Sequence, residues 1–364
     1  MQRTPYDPSL PVHVAGGAHY ACRMCGGGCR SYDVLLTEPE ANRLSYSWWR
    51  SLLNGVPDDL PLVVLDSASD QYTLNRVDDR CVFLDTDNLC IVHKTAGLDA
   101  KPIACQFFPF QAVQTPDGLH TSLNVSCRRL VEMNEADPPL DVEAGRSLLA
   151  RAQAVATIGE SIPLTPEITI DFATFNTHQT HLSAILTVPE DSWAGVFDRI
   201  IMAADYLWTL PGTSIDPSID GLSVFHALYK RMHAKIDSRS SLRALYHRSE
   251  AAIESIFNNG LTQPSMPDGA PSTFCAQIAR QWLDGDQAAL YRTARTGWVA
   301  LILALLLGIH GTAAQFAAGQ RADHALNEAI ADSVDLCLSP AGQIALTEPA
   351  QQALLRNLKR ISEL

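Results

Sequence analysis

Residues 22–29 read Cys22-Arg23-Met24-Cys25-Gly26-Gly27-Gly28-Cys29, and this stretch decides how the first third of the chain is built. Two cysteines at C-x2-C spacing present both sulfurs to one metal from a single tight turn. Three glycines then let the backbone curl close to a metal and aim N–H groups at thiolate sulfur, which offsets its negative charge. An isolated C-x2-C pair arises by coincidence. Here Cys29 extends the run, and Cys81, Cys90, Cys105 and Cys127 follow it.

The chain has nine cysteines in 364 residues. The opening segment Met1-Gln2-Arg3-Thr4-Pro5-Tyr6-Asp7-Pro8 lacks the apolar core of a secretory signal, so the sequence reads as cytoplasmic. A reducing compartment keeps thiols free, and clustered free thiols hold metal. Cys275 and Cys337 stand apart, amid apolar helical sequence, and read as ordinary buried thiols.

Three further groups supply donors. Cys81 and Cys90 flank the turn-forming Asp85-Thr86-Asp87-Asn88, which places them at the base of a hairpin. Cys90-Ile91-Val92-His93 repeats the ligand-pair spacing with an imidazole as second donor. Cys105 lies in Lys101-Pro102-Ile103-Ala104-Cys105-Gln106-Phe107-Phe108-Pro109-Phe110, whose aromatics serve as core packing or as the apolar shell of a cluster. Cys127 closes the series. The metal ligands expected are therefore Cys22, Cys25, Cys29, Cys81, Cys90, His93, Cys105 and Cys127. These eight donors suffice for two four-coordinate sites. Three or four of the cysteines would alternatively hold one [4Fe–4S] cluster, with the rest structural. Zinc accepts mixed Cys/His ligation readily, whereas the excess of cysteine over histidine and the aromatic shell fit iron–sulfur.

The residues around these donors resemble the YkgJ-type cysteine-cluster family, a zinc- or iron-chelating domain also found in flagellin lysine N-methylases. Its pattern of C-x2-C-x3-C-C, C-x-F-L, C-x-I-H or C-x-I-Y, R/K-P-x-x-C-x-x-F-P-F and a final cysteine is similar to Cys22/Cys25/Cys29, Cys81-Val82-Phe83-Leu84, Cys90-Ile91-Val92-His93, Lys101-Pro102 with Cys105 and Phe108-Pro109-Phe110, and Cys127. Val92 replaces the pattern's isoleucine conservatively. Arg30 stands where the fourth cysteine of the opening run is expected, so one thiolate is missing. The resemblance implies a metal cluster and, for the longer members, methyl transfer from S-adenosylmethionine to a lysine of a protein such as flagellin. The alternative is a non-enzymatic, metal-stapled module for interaction or for metal sensing and chelation. The residues themselves assign no catalytic or cofactor-binding group. No strand leads into a G-x-G loop of a nucleotide-binding fold, and C-x2-C-x3-C reverses the C-x3-C-x2-C order of radical S-adenosylmethionine enzymes.

The formal charge of −13 argues against nucleic acid and anionic lipid as partners. It mildly favours a basic protein segment. The fold class expected is mostly α: a loop-rich cysteine-cluster domain over residues 1–135, then an α-helical domain over 140–364, divided at Asn134-Glu135-Ala136-Asp137-Pro138-Pro139. In the first part, metal would substitute for the core that loops lack, with helical pieces at Glu38–Leu53 and after Cys127. Apolar spacing predicts helices over Val142–Ile158, Trp193–Leu210, Leu222–Phe257 (two, broken near Asp237), Thr273–Thr293, Trp298–Phe316, Asp323–Leu338 and Pro349–Ile361. Pro163–Phe172 reads as partly extended. The strongly apolar run Trp298–Ile309 is 12 residues long, short of the roughly 20 that span a bilayer, so it predicts a buried core helix and no membrane span.

Overall fold

The computed structural model describes residues 2–16, 18–31, 34–66, 71–78, 80–125, 127–128, 130–133, 135–151, 155–190, 192–212, 223, 226–227, 230, 249–256, 258, 264–266, 272, 274–286, 288, 291, 293–320, 322–338, 346, 350–352, 354–356 and 358. Helix predominates, accompanied by several small sheets.

A five-stranded sheet receives the two ends of the first part. Its strands are β1 (Gln2–Thr4), β2 (Val12–Val14), β8 (Phe110–Thr115), β9 (Gly118–Leu123) and β10 (Val155–Thr157), in the order β1-β10-β8-β9-β2. β8 and β9 form an antiparallel hairpin, while β2 runs parallel to β9 and pairs His13 with His120. β10 lies between β1 and β8, pairing Ala156 with Arg3 and with Val113. Two expectations are corrected here. The stretch Val142–Ile158 is helical only over Val142–Arg151; the β-branched Val155 and Thr157 then gain two strand partners, which outweighs the helical period. The segment after residue 140 therefore returns to the first part's sheet, so the boundary at 135–140 does not separate two independent bodies.

Between β2 and β8 lies a lobe of short elements: α1 (Gly27–Ser31), β3 (Leu35–Leu36), α2 (Glu38–Leu44), β4 (Val63–Asp66), β5 (Gln71–Leu74), β6 (Arg76–Val77), β7 (Arg80–Cys81), α3 (Ile91–Ala96) and α4 (Ile103–Phe107). The helix expected over Glu38–Leu53 breaks after Leu44 and resumes as a 3-10 turn over Ser47–Leu52. Thr37 and Glu40 cap the first piece reciprocally, with the Thr37 N–H donating to Glu40 Oε2 at 2.9 Å. The expected helix after Cys127 is only a 3-10 turn at Leu130–Glu132, and α5 starts at Val142. This lobe has a core of its own, built from Leu36, Leu44, Trp49, Leu74, Phe83 and Val92 among others. Metal is thus not the sole source of cohesion there, contrary to the expectation for a loop-rich segment.

The remainder is helical. Pro163–Phe172 is the antiparallel pair β11 (Ser161–Pro163) and β12 (Thr169–Asp171). Asp171 then caps α6 (Phe172–Leu186), accepting from the Thr174 N–H at 2.7 Å. α7 (Trp193–Trp208), α9 (Ala294–Ala317) and α10 (Ala322–Leu338) follow the expected spans closely, whereas α8 (Phe274–Asp284) ends nine residues before the expected Thr293, in a turn at Gly285-Asp286. Of Leu222–Phe257, residues 249–256 are helical; most of the rest of that span, including the expected break near Asp237, lies outside the described residues. So does part of Pro349–Ile361, within which 350–352, 354–356 and 358 are helical.

α9 is the centre of the core. It is longer than its apolar run, and by length and composition it would cross a membrane, yet 78% of its most apolar window is buried within the protein. Every residue from Ala294 to Thr312 is buried, as a helix apolar on all sides requires. Gly297 permits this packing: a Cβ there would sit 2.2 Å from the Ala288 carbonyl oxygen. One continuous core joins α6–α10 to Val113, Leu123, Val125, Cys127, Leu130 and Met133 of the first part.

Candidate metal centre

The opening run turns on two left-handed residues, Met24 (φ 50°) and Gly26 (φ 67°), before entering α1. This turn brings the Gly27 N–H to 3.3 Å from Cys25 Sγ, the N–H to sulfur contact that the glycines were expected to supply. The three glycines also sit beneath other parts of the lobe. A Cβ on Gly26 would meet Leu84 and Asn88 at 3.2 Å, one on Gly27 would meet Arg128 at 2.9 Å, and one on Gly28 would meet Phe108 at 3.1 Å.

The seven thiols fall into two neighbouring sets. Cys29 lies in α1, Cys81 in β7, Cys90 at the N-cap of α3, and Cys105 in α4. Burial raises the pKa of Cys29, and its neighbours Cys90 and Cys25 raise it further. Cys81 is pushed up to about 12 by burial, with Cys29 and Cys90 adding to the effect. Cys105 is raised well above the usual thiol range by burial, and Cys81, Cys29 and Cys90 add to this. Each of these thiols therefore lies within electrostatic reach of the others. The Arg76 guanidinium pulls Cys29 and Cys81 downward, and the Lys101 ammonium does so for Cys29 and Cys105. Two cations thus flank the place where thiolate charge would accumulate.

The second set is Cys22, Cys25 and Cys127, gathered around the Tyr20 hydroxyl. Burial raises the Tyr20 pKa, and charge on Cys22, Cys127 and Cys25 raises it further, with a hydrogen bond to Cys22 adding to the effect. Cys22 is exposed and Cys127 buried. Cys25 borders both sets. His93, the expected eighth donor, is exposed on α3, and the Gly97 N–H caps its carbonyl at 3.0 Å. Cys275 and Cys337 are buried in α8 and α10, apart from both sets.

Arg30 stands directly after the opening cysteine run, within α1. Its guanidinium donates to the Cys25 carbonyl at 2.8 Å and to Asn88 Oδ1 at 2.5 Å. The side chain thereby ties the opening turn to the Cys81–Cys90 hairpin. Arg128, next to Cys127, does the same on a larger scale. It donates to Glu328 Oε2 at 2.5 Å and Asp332 Oδ1 at 2.7 Å, with Asp335 at 3.9 Å. These acids stand at i, i+4 and i+7 on one stripe of α10. Burial alone would lower the Arg128 pKa, but the three carboxylates outweigh it and hold the guanidinium charged.

Among the described residues, no three cysteine sulfurs lie within 4.8 Å of one another. A single tetrahedral zinc holds its sulfurs about 3.8 Å apart, given Zn–S bonds of about 2.3 Å. The donor set fits a thiolate-bound group in chemistry, being convergent, N–H-solvated, flanked by cations and backed by apolar core. It is spread more widely than one zinc ion requires. Outside the thiols, His13, Asp117 and His120 bring three ligand atoms within 4.8 Å. The sequence carried a partial signal in Asp117-x2-His120, whereas His13 joins them only through strand register. Comparison with family models, curated proteins and solved structures returned no match.

Proposed function

We propose that this chain is a metal-cluster protein in which Cys29, Cys81, Cys90 and Cys105 hold an iron–sulfur group. The observation that carries this reading is the mutual reach of four thiols from four separate elements, no three of whose sulfurs lie within 4.8 Å of one another. A polynuclear cluster interposes several metal ions between its thiolates, so its ligands stand farther apart. Arg76 and Lys101 offset the charge of such a group, and the lobe's core around Phe83 and Val92 keeps water from it. Bound there, the cluster would supply electron storage or a rigid crosslink between α1, β7, α3 and α4.

The methylase reading has its own support in the second set. Cys22, Cys25 and Cys127 provide three thiols with Cys22 exposed, and Arg30, at the expected fourth position, is engaged with Asn88. A metal centre held there would keep an open position, suited to the amino and carboxylate groups of S-adenosylmethionine, with a lysine-bearing protein such as flagellin as the methyl acceptor. The non-enzymatic module is the alternative when that position is closed.

Anaerobic purification followed by iron, zinc and acid-labile sulfide analysis tests the assignment. Iron with matching sulfide, lost in Cys81→Ser and Cys105→Ser but retained in Cys275→Ala, is expected. Stoichiometric zinc without sulfide would replace the iron–sulfur reading with a structural zinc module. A folded protein free of either metal would overturn both. Binding of S-adenosylmethionine that disappears in Cys25→Ala is expected of the methylase, and full binding by that variant would remove it.

A further inference from the structure

The edge of the five-stranded sheet carries a second group of ligating side chains, remote in type from the thiols. β2 is the edge strand, and its parallel register sets His13 beside His120 on β9. The two rings lie with centroids 4.6 Å apart. Asp117, in the turn between β8 and β9, places Oδ1 2.9 Å from His120 Nε2, and its carbonyl lies 3.2 Å from His13 Nε2. The Thr115 hydroxyl donates to the same carboxylate at 2.5 Å, which fixes its direction.

Two observations set this group apart from a chance surface ion pair. The first lies behind His120. Asp286, only 3% exposed, directs Oδ2 to 3.2 Å from His120 Nδ1. That oxygen has no hydrogen-bond partner of good geometry. Its other oxygen accepts from Gln179 Nε2 at 2.8 Å, and Gln179 Oε1 accepts in turn from Trp298 Nε1 at 2.7 Å. A buried carboxylate is thus anchored from the core and aimed at the rear nitrogen of an imidazole. The hydrogen bond of His120 Nδ1 itself goes to the Asp284 carbonyl at 3.3 Å; with the Asp286 carboxylate beside it, this favours the proton on Nδ1 and frees Nε2 for a metal. The second observation is Gly118. A Cβ there would lie 2.7 Å from His13 Cδ2 and Nε2, so the absence of a side chain is what lets the His13 ring reach the group.

We infer that His13, Asp117 and His120 bind a divalent first-row transition ion such as zinc, with Asp286 orienting His120. Two imidazoles and one carboxylate suit that class of ion, and three protein ligands leave a position open to water or a small anion. The Asp117–His120 spacing needs only a small opening, since a tetrahedral ion holds N and O ligands about 3.4 Å apart. His13 and Asp117 are exposed, so the ion exchanges with solvent without disturbing the core.

Cobalt(II) titration of the full chain as isolated separates this site from the thiols by its spectrum. Cobalt held by imidazole and carboxylate shows weak visible d–d bands, whereas thiolate ligation adds intense near-ultraviolet charge transfer. One equivalent of cobalt without the thiolate band, displaced by zinc, is expected. His13→Ala and His120→Ala should abolish it, while iron, sulfide and thiol-bound metal stay unchanged. Asp286→Asn should weaken binding by about tenfold to a hundredfold, and Gly118→Ala should weaken it by displacing His13. Absence of that cobalt signal in the wild type, or an undiminished signal in His13→Ala, would overturn the inference. Because His13 is exposed, its variant retains the fold, and unchanged circular dichroism verifies this.

Discussion

Replacing Arg128 with methionine would remove a guanidinium held against three carboxylates of α10. Arg128 and Asp332 are 6% and 3% exposed in their side chains, so both charges of that pair are desolvated. Breaking such a pair from one side costs about 3–5 kcal/mol, because the carboxylate stays buried without its cation. Glu328 is 25% exposed, and the loss of that contact adds no more than about 1 kcal/mol. The sum, on the order of 4 kcal/mol, is a large share of the 5–15 kcal/mol typical of folded proteins. Chemical denaturation of wild type and Arg128→Met at constant pH measures it. Arg128→Lys should fall between the two, since a single ammonium cannot present a planar fork to two carboxylates. Adding Asp332→Leu to Arg128→Met should recover part of the loss, since one of the two buried carboxylates is then gone while Asp335 stays. A loss below about 1 kcal/mol in Arg128→Met, the scale of an exposed pair, would refute the reasoning.

Gly297→Ala should destabilise the protein by about 1–3 kcal/mol or abolish its folding, since its Cβ meets the Ala288 backbone at 2.2 Å; thermal melting decides, and an unchanged midpoint would contradict the packing. Gln179→Leu deprives Trp298 Nε1 and Asp286 Oδ1 of their partner, while the Leu283 carbonyl keeps the Asp286 N–H; chemical denaturation should show a loss of about 1–3 kcal/mol for each buried group left unsatisfied. Asp85 is held at a pKa of about 2 by its hydrogen bond from Lys94 and then by the Thr86 N–H. Its folded pKa lies below the unfolded one, so its contribution is present above about pH 4 and is lost as pH falls toward 2. Asp85→Asn should therefore flatten the acid limb of a stability–pH curve and leave its neutral limb parallel to wild type.

The long helices were legible because burial on one stripe, or on all sides for α9, leaves a periodic record in the sequence. α6 was not. Its Thr, Asn, Gln and His residues obscure the apolar stripe of Phe172, Phe175, Leu182 and Ile185, and Gln179 is buried as a hydrogen-bonding link rather than as packing. The strand at Val155–Thr157 escaped notice because strand pairing is long-range: its partners are residues 3 and 113. The thiols were visible individually, through spacing and turn chemistry. Their division into two sets was not, because it depends on how the Gly26-Gly27-Gly28 turn meets Asn88, Arg128 and Phe108 in three dimensions. His13 belongs to the same class of invisible feature, since only strand register brings it to His120.

The position of β10 also governs how this chain can be cut. A fragment ending at residue 135 would keep every cysteine of both thiol sets, yet it would leave a gap in the sheet where β10 joins β1 to β8. The first strand would lose its attachment, and β8 would present an unpaired edge, the kind of surface on which chains aggregate. Fragments meant to isolate the thiol-bearing part should therefore extend past Thr157, and a protease nick between residues 135 and 155 should leave the two pieces associated rather than release them as separate bodies.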